Sequence, residues 1–498
     1  MGSRAIRTVT VVGGGIVGWS AAAALKRRMS MLDVCILPLA PAADELANRI
    51  TSTLPSILGF HRDLGIRDGD AVLRTGSGYR LGTLFAGWSG AKTDYVHSYA
   101  RHGHAFAGAA FHLHWARMAR ARHAERFDAY SPAAAMARES RFAPASEGAD
   151  AALAGYEYGL QLNPGSYLAM MRAFARHCGV VELAGTLEGV RVSAEGGIAS
   201  LALDGGREHQ ADLLVDATGP AARLRSVLDD RREDWRRWLP CDRVLIASAP
   251  LVSEPPPLDQ VTAIAGGWRW SAASPSATSH GIAYASAFTS DAKAARQLRV
   301  ATGAEAPGQA VAIHAGTRPE PWRRNCVAIG EAATVMEPLE WCHLHLAHSA
   351  IDRVIAMLPD RDFANVELAE FNRQHMAEAI RVRDFLALHY AVSQRREPFW
   401  REAAAMAPPP TLAHTLALFR NRGRLPFHEE ETFARDSWLA VLFGQGVIPR
   451  RVDPLVTTNA EAQTVATLAA MRRQIDEAVP TLPTHAAFVA AQKRQLAR

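Results

Sequence analysis

The chain has 498 residues, of which 48% are hydrophobic and 21% charged, with a formal net charge of +5. That length holds two or three domain units or one large two-lobed enzyme, and the composition excludes wholesale disorder. So small a positive excess does not argue for a nucleic-acid partner.

Thr8 to Val12 reads as a short buried strand, followed by glycines and an Ala-rich helix from about Gly18 to Met29. Leu32 to Leu37 reads as a second strand, which completes a βαβ opening. Pro38 to Ala43 is a breaker-rich loop, and residues 50–90 are mixed, with turn signals at Gly76-Ser77-Gly78 and Gly87. Helices are expected over His112–Arg122 and Tyr167–Cys178, the second with Leu168, Met171, Phe174 and Ala175 on one face. Strand-like runs follow at Val180–Leu183, Val190–Val192, Ile198–Leu203 and Leu213–Asp216. Arg232, Arg236 and Arg237 are expected on a basic, solvated helix face. Pro255-Pro256-Pro257 marks a loop. Cys326–Ile329 reads as another buried strand, running through Gly330 into a helix. From about Leu346 onward the pattern is helical, broken at Pro408-Pro409-Pro410 and Pro449. The five cysteines form no CxxC pair, which points away from a disulfide framework or metal site and toward a reducing cytoplasm. No signal peptide and no apolar run of about 18 residues is visible, so no membrane association is expected.

Strands recurring between helices argue for an α/β fold. Gly13-Gly14-Gly15-Ile16-Val17-Gly18 fits GxGxxG between a strand and a helix. Gly13 permits the turn, Gly15 lets a pyrophosphate approach the backbone, and Gly18 lets the helix pack on the strand. The acid that usually follows about 20 residues on, to bind the ribose, is replaced by Leu37-Pro38; only Glu45 could reach in from the loop. Two further boxes follow strands: Asp216-Ala217-Thr218-Gly219, and Cys326 to Ala333 with Gly330, Glu331 and Ala333. Both resemble flavin-enzyme elements, which favours FAD over NAD.

Several stretches together resemble the flavin-dependent tryptophan halogenase family, from the first strand to about Phe488. They are Gly13 to Ala22, Leu239-Pro240-Cys241-Asp242-Arg243, Gly267-Trp268-Arg269-Trp270, Glu337-Pro338-Leu339-Glu340, Ser437-Trp438 through Gly446, and Asp453-Pro454-Leu455. The resemblance implies a glutathione-reductase-like FAD-binding GxGxxG domain with an inserted substrate lobe and a helical C-terminal part. The FAD module would comprise residues 1–115, 150–225 and 310–350. Residues 116–149 and 226–309 would be substrate-lobe insertions, and 351–498 a helical region packed on that lobe. It implies FADH2 from a separate flavin reductase, O2 and chloride or bromide, and a small aromatic substrate such as an indole or a peptide-borne Trp. A homodimer and a cytoplasmic location are the accompanying expectations.

In that family a lysine holds the hypohalous acid and a glutamate orients it and removes the ring proton. The glutamate falls on Glu340. The lysine falls on Arg80, within Tyr79-Arg80-Leu81-Gly82-Thr83-Leu84-Phe85-Ala86-Gly87-Trp88. Arginine donates hydrogen bonds but offers no neutral amine near pH 7. The exchange fits a chain in which only four of 55 basic residues are lysines: Lys26, Lys92, Lys293 and Lys493. Lys92, the nearest in sequence, reads as a surface residue. Trp268 and Trp270 open the family's W-x-W-x-I-P signature, but Ala272-Ala273 replace its Ile-Pro pair. Trp341, Cys342 and His343 replace the small polar residues after the glutamate. Trp268, Trp270, Trp341 and Trp438 are candidate substrate or tunnel residues. Three readings stay open: a halogenase with an atypical site, a flavin monooxygenase on the same scaffold, and a non-catalytic partner or binding protein.

Overall fold

The computed structural model describes residues 5–90, 94–144, 153–303 and 308–496. They form two compact units. The first comprises residues 1–76, 162–243 and 311–380, and the second 77–161, 244–310 and 381–498. Residues 77–115, expected with the cofactor module, belong to the second unit, and 226–243 and 351–380 to the first.

The first unit is built on a mostly parallel sheet. Thr8–Val12 lies between Asp33–Leu37 and Leu213–Asp216, and the latter is followed by Cys326–Ala328. These strands are short, apolar and buried on both faces, as a parallel sheet between two layers requires. In the register, Val12 stands opposite Leu37 and Asp216, and Asp216 opposite Ala328. The three glycine boxes therefore leave the sheet side by side, at the carboxyl ends of adjacent strands, where open α/β sheets bind ligands. One face packs on the antiparallel strands Leu187–Val192, Ile198–Leu203 and Arg207–His209 through Val12, Leu37, Leu201, Leu214 and Cys326. The helix Ile16–Arg28 packs against the helices Pro164–His177 and His343–Ala356.

Two expected helices are absent here. Around Arg232 the chain forms a two-residue strand, Glu233–Asp234, and Arg232 and Arg236 pair with Asp230 and Asp234. After Gly330 a single 3-10 turn leads into the strand Thr334–Val335, and the helix starts only at His343. Pro338 and two residues with positive φ intervene and interrupt helical winding.

The second unit carries strands in the order Arg243–Ala249, Ala277–Tyr284, Gly267–Ser274, Leu258–Ile264, Gly82–Ala86 and Tyr95–Ser98. Leu258–Ile264 runs parallel to Gly82–Ala86, with Asp259 opposite Thr83. A separate antiparallel pair joins Gly78–Arg80 to Gly159–Gln161. The strands between 243 and 284 escaped the sequence reading because Gly, Ser, Thr and Arg interrupt their apolar alternation. Among the described residues no helix is long and apolar enough to cross a membrane.

Candidate functional site

The nucleotide cradle in the first unit is made of glycines that no other residue can replace. Gly13 has φ +135°, and a Cβ there would lie 2.2 Å from the Ala217 carbonyl oxygen of the neighbouring box. A Cβ on Gly18 would lie 2.0 Å from the Gly13 carbonyl oxygen. Backbone meets backbone at both points, so glycine alone lets the turns approach and the helix start directly on the strand. No acid occupies the first turn of that helix, so its positive dipole end carries no anionic side chain of its own. This arrangement fits the pyrophosphate of FAD.

The acids around the cradle are spent on the fold. Asp216 accepts from the Thr218 amide and hydroxyl through Oδ1, and from the Leu224 and Arg225 amides through Oδ2. It shapes the turn that follows its strand. Glu331 accepts from the Leu46 and Ala47 amides at 2.8 and 3.0 Å. Burial pushes its carboxyl up to about 8 despite those two bonds, and Glu45 adds to the rise. Ala333 is a backbone element: its amide donates to the Gly330 carbonyl and its own carbonyl accepts from Arg318. Glu45 does reach into the cradle. It is buried, and a Cβ on Gly219 would lie 2.1 Å from its Cγ. Burial raises its carboxyl to about 7, against the bonds from Ala42 and Asn48 that lower it.

Glu340 sits on a turn, Leu339–Trp341, in the same unit. Glu340 and Trp341 have φ of +60° and +59° in succession, and both are almost fully buried. Two consecutive left-handed residues with side chains, one of them Trp, cost about 1–3 kcal/mol each and persist only where the surroundings enforce them. The turn is tied down at Glu337, whose carboxylate accepts from the Cys241 amide at 2.8 Å. That bond joins the Leu239–Arg243 stretch to the acidic stretch. Neutral His343 donates from Nε2 to the Met336 carbonyl at 3.2 Å, and burial lowers its pKa to about 4. Burial, with Glu340 and Glu331 adding to it, pushes the Cys342 thiol well above its usual range.

Arg80, in the second unit, is fully buried. Its Nε donates to Asp259, Nη1 to the Tyr99 hydroxyl and Nη2 to the Thr83 hydroxyl. Asp259, also fully buried, accepts in addition from Gln161 at 3.0 Å. Desolvation opposes the charge on Arg80, but Tyr99 and Asp259 outweigh it and raise its pKa further. Arg80 is thus a permanent cation with its own counter-ion. Asp259 and Tyr99 were not foreseen from the sequence. One signal was available: Asp259 stands on the same strand face as Val261 and Ala263, where an acid is out of place without a partner. Lys92 lies outside the described residues.

The tryptophans separate by environment. Trp268 is fully buried and its indole N–H donates to the Tyr390 hydroxyl at 2.9 Å, within a cluster that includes Trp88, Trp270 and Trp400. Trp270 lies over Gly281, its partner in the hairpin. Both serve as core. Trp341 is buried on the strained turn. Trp438 lines a cavity of about 380 Å³ together with Arg381, Thr415, Phe427, His428 and Glu431. The Arg381 guanidinium sits 4.6 Å from the Trp438 ring centroid, and the Trp438 indole N–H donates to the Phe433 carbonyl at 3.1 Å.

Three glycine turns on adjacent strand ends define a dinucleotide-binding α/β protein. A family model for tryptophan halogenases matches residues 8–461, and the chain belongs to that family. It is 34% identical to BrvH, a flavin-dependent halogenase from Brevundimonas sp. BAL3, over 98% of this chain and 99% of that one, with a TM-score of 0.92. Xcc4156, a flavin-dependent halogenase from Xanthomonas campestris, is 31% identical over 98% of each chain, with a TM-score of 0.92. Tryptophan 6-halogenase SttH of Streptomyces toxytricini is 28% identical over 298 residues, so the chain spans 57% of that curated relative.

Proposed function

We propose that this chain is a flavin-dependent halogenase acting on a small electron-rich aromatic substrate, an indole or a peptide-borne Trp. The observation that carries the reading is the buried Glu340 on consecutive left-handed residues, strain of the kind that gathers at functional sites. FAD, delivered as FADH2 by a separate reductase, would supply the two electrons that reduce O2 to the peroxide level, and that oxidant would convert halide into hypohalous acid. The amides at the start of the Ile16–Arg28 helix would bind its pyrophosphate. The Glu340 carboxylate would accept the proton lost from the aromatic carbon as the carbon–halogen bond forms. Arg80 brings positive charge and N–H donors where the family has an amine, so halogen transfer through a nitrogen–halogen bond is not part of the reading. The aromatic and charged lining of the Trp438 cavity suits a ring carrying a polar group.

The Arg80–Asp259 pair favours a second reading, flavin-dependent oxygenation without halide. The two are separated by incubating the chain with FAD, NADH, a flavin reductase, bromide or chloride, and a panel of indoles and Trp-containing peptides. Mass spectrometry should show halogenated product that requires halide. Glu340→Gln should remove it at least 100-fold while leaving FAD binding intact. Oxygenated product that forms without halide would replace the first reading with the second.

A further inference from the structure

The start of the Ile16–Arg28 helix is covered from within the chain. Gly15 supplies no cap side chain. Instead Asn48, 32 residues on, accepts from the Ile16 amide through Oδ1 at 2.6 Å. A methyl on Gly15 would lie 2.6 Å from that carboxamide, so Asn48 fills the space the glycine leaves open. The same carboxamide donates through Nδ2 to Glu45 Oε2 at 2.9 Å. Glu45 Oε1 accepts from the Ala42 amide at 2.9 Å, and its Cγ rests against Gly219 of the second box. From the other side Glu331 of the third box holds the Leu46 and Ala47 amides. One short turn, Leu46–Asn48, is thereby fastened to all three boxes of the cradle.

We propose that Asn48 is a gatekeeper of the dinucleotide site: its carboxamide oxygen stands in for a phosphate oxygen at the helix start, and the pyrophosphate enters only when the Glu45–Asn48 segment releases it. The inference rests on the FAD reading of the cradle. Gly15 is the position at which a pyrophosphate approaches the backbone in a GxGxxG turn, and that space is occupied by a neutral acceptor. A carboxamide satisfies the Ile16 amide but answers the positive helix end less well than an anion does. The exchange of carboxamide for phosphate is therefore favourable once the segment is free. Glu45 works in the same direction as the plug, because its carboxyl lies where an incoming anion would meet it. Affinity for the dinucleotide is then the intrinsic affinity reduced by the fraction of molecules with the segment released.

The test is FAD titration of the full chain, followed by flavin fluorescence, for the wild type, Asn48→Ala and Asn48→Asp, with thermal unfolding of each without FAD. Alanine removes the plug, so FAD should bind about tenfold tighter although the cofactor-free protein unfolds at a lower temperature. Aspartate answers the helix end with a charge, so FAD should bind at least about tenfold weaker, while its second oxygen faces Glu45 Oε2 in place of a donor and leaves the cofactor-free protein no more stable. Tighter binding by Asn48→Ala together with its loss of stability is the signature of competition for one site. Weaker binding by Asn48→Ala would make Asn48 a ligand of FAD and overturn the proposal. Equal binding by all three would make it a bystander, which overturns the proposal and leaves the cofactor reading standing. Failure of every form to bind FAD would overturn both.

Discussion

If the guanidinium of Arg80 is committed to Asp259, the two residues must be strongly coupled in stability. The perturbation is a double-mutant cycle of Arg80→Met, Asp259→Asn and the double variant. Both side chains are fully buried and in direct contact. Two unit charges about 4 Å apart at an effective dielectric near 20 attract by about 4 kcal/mol. Removing one partner of such a pair leaves the other charge buried without compensation and costs about 3–5 kcal/mol. Each single variant should fall in that range. The Asp259→Asn change strands a cation still bonded to Tyr99 and Thr83, and Arg80→Met strands an anion still bonded to Gln161. The double variant removes both charges and should cost far less than the sum. The expected coupling is about 3 kcal/mol, roughly a hundredfold in the unfolding equilibrium. Urea unfolding followed by tryptophan fluorescence reads it, since Trp88, Trp268 and Trp400 lie in the same unit. Coupling below about 0.5 kcal/mol, the value for independent sites, would refute the pairing. A lysine introduced at this position would meet the same carboxylate. Arg80→Lys alone should not enhance halogenation, because Asp259 would hold the ammonium charged and in place.

Stability should pass through a maximum near pH 6.5. His61, His112, His343 and His375 have folded pKa values lowered to about 4 by burial. The unfolded chain therefore binds more protons from pH 4 to 6.5, and stability climbs over that span. Glu45 and Glu331 are raised to about 7 and 8, so the folded chain binds more protons above pH 6.5 and stability declines toward pH 8. Thermal unfolding from pH 4 to 9 would show the dome, and a monotonic rise to pH 9 would contradict it. Gly13→Ala should prevent folding of the cradle, because the new methyl meets a backbone oxygen at 2.2 Å, whereas Gly196→Ala, at φ +80° with nothing within 4 Å, should cost about 1–2 kcal/mol. Comparable urea midpoints for the two would show that the cradle is looser than its geometry. Gly281→Ala should cost about 1–3 kcal/mol by overpacking, since the methyl would lie 2.0 Å from the Trp270 ring, again read by urea unfolding.

Local chemistry made part of this protein legible in one dimension. A five-residue apolar strand, a glycine run and an Ala-rich helix specify a βαβ start because each depends only on neighbours in the chain. Asp216 and Gly330 could be placed after strands for the same reason. The antiparallel strands between 243 and 284 were hidden, because their burial comes from both faces of a sheet and leaves no clean period in the residues.

Contiguous motifs made the family legible along the chain, and they gave the expectation that Arg80 stands where the family has a lysine. The partners of Arg80 and of the helix start come together only on folding. Asp259 lies 179 residues from Arg80 and Asn48 lies 32 residues from Ile16. Register across strands brings the first pair together, and packing of a short turn on a helix start the second. Both are polar groups that must find partners on burial, and the chain order does not say which partner that will be.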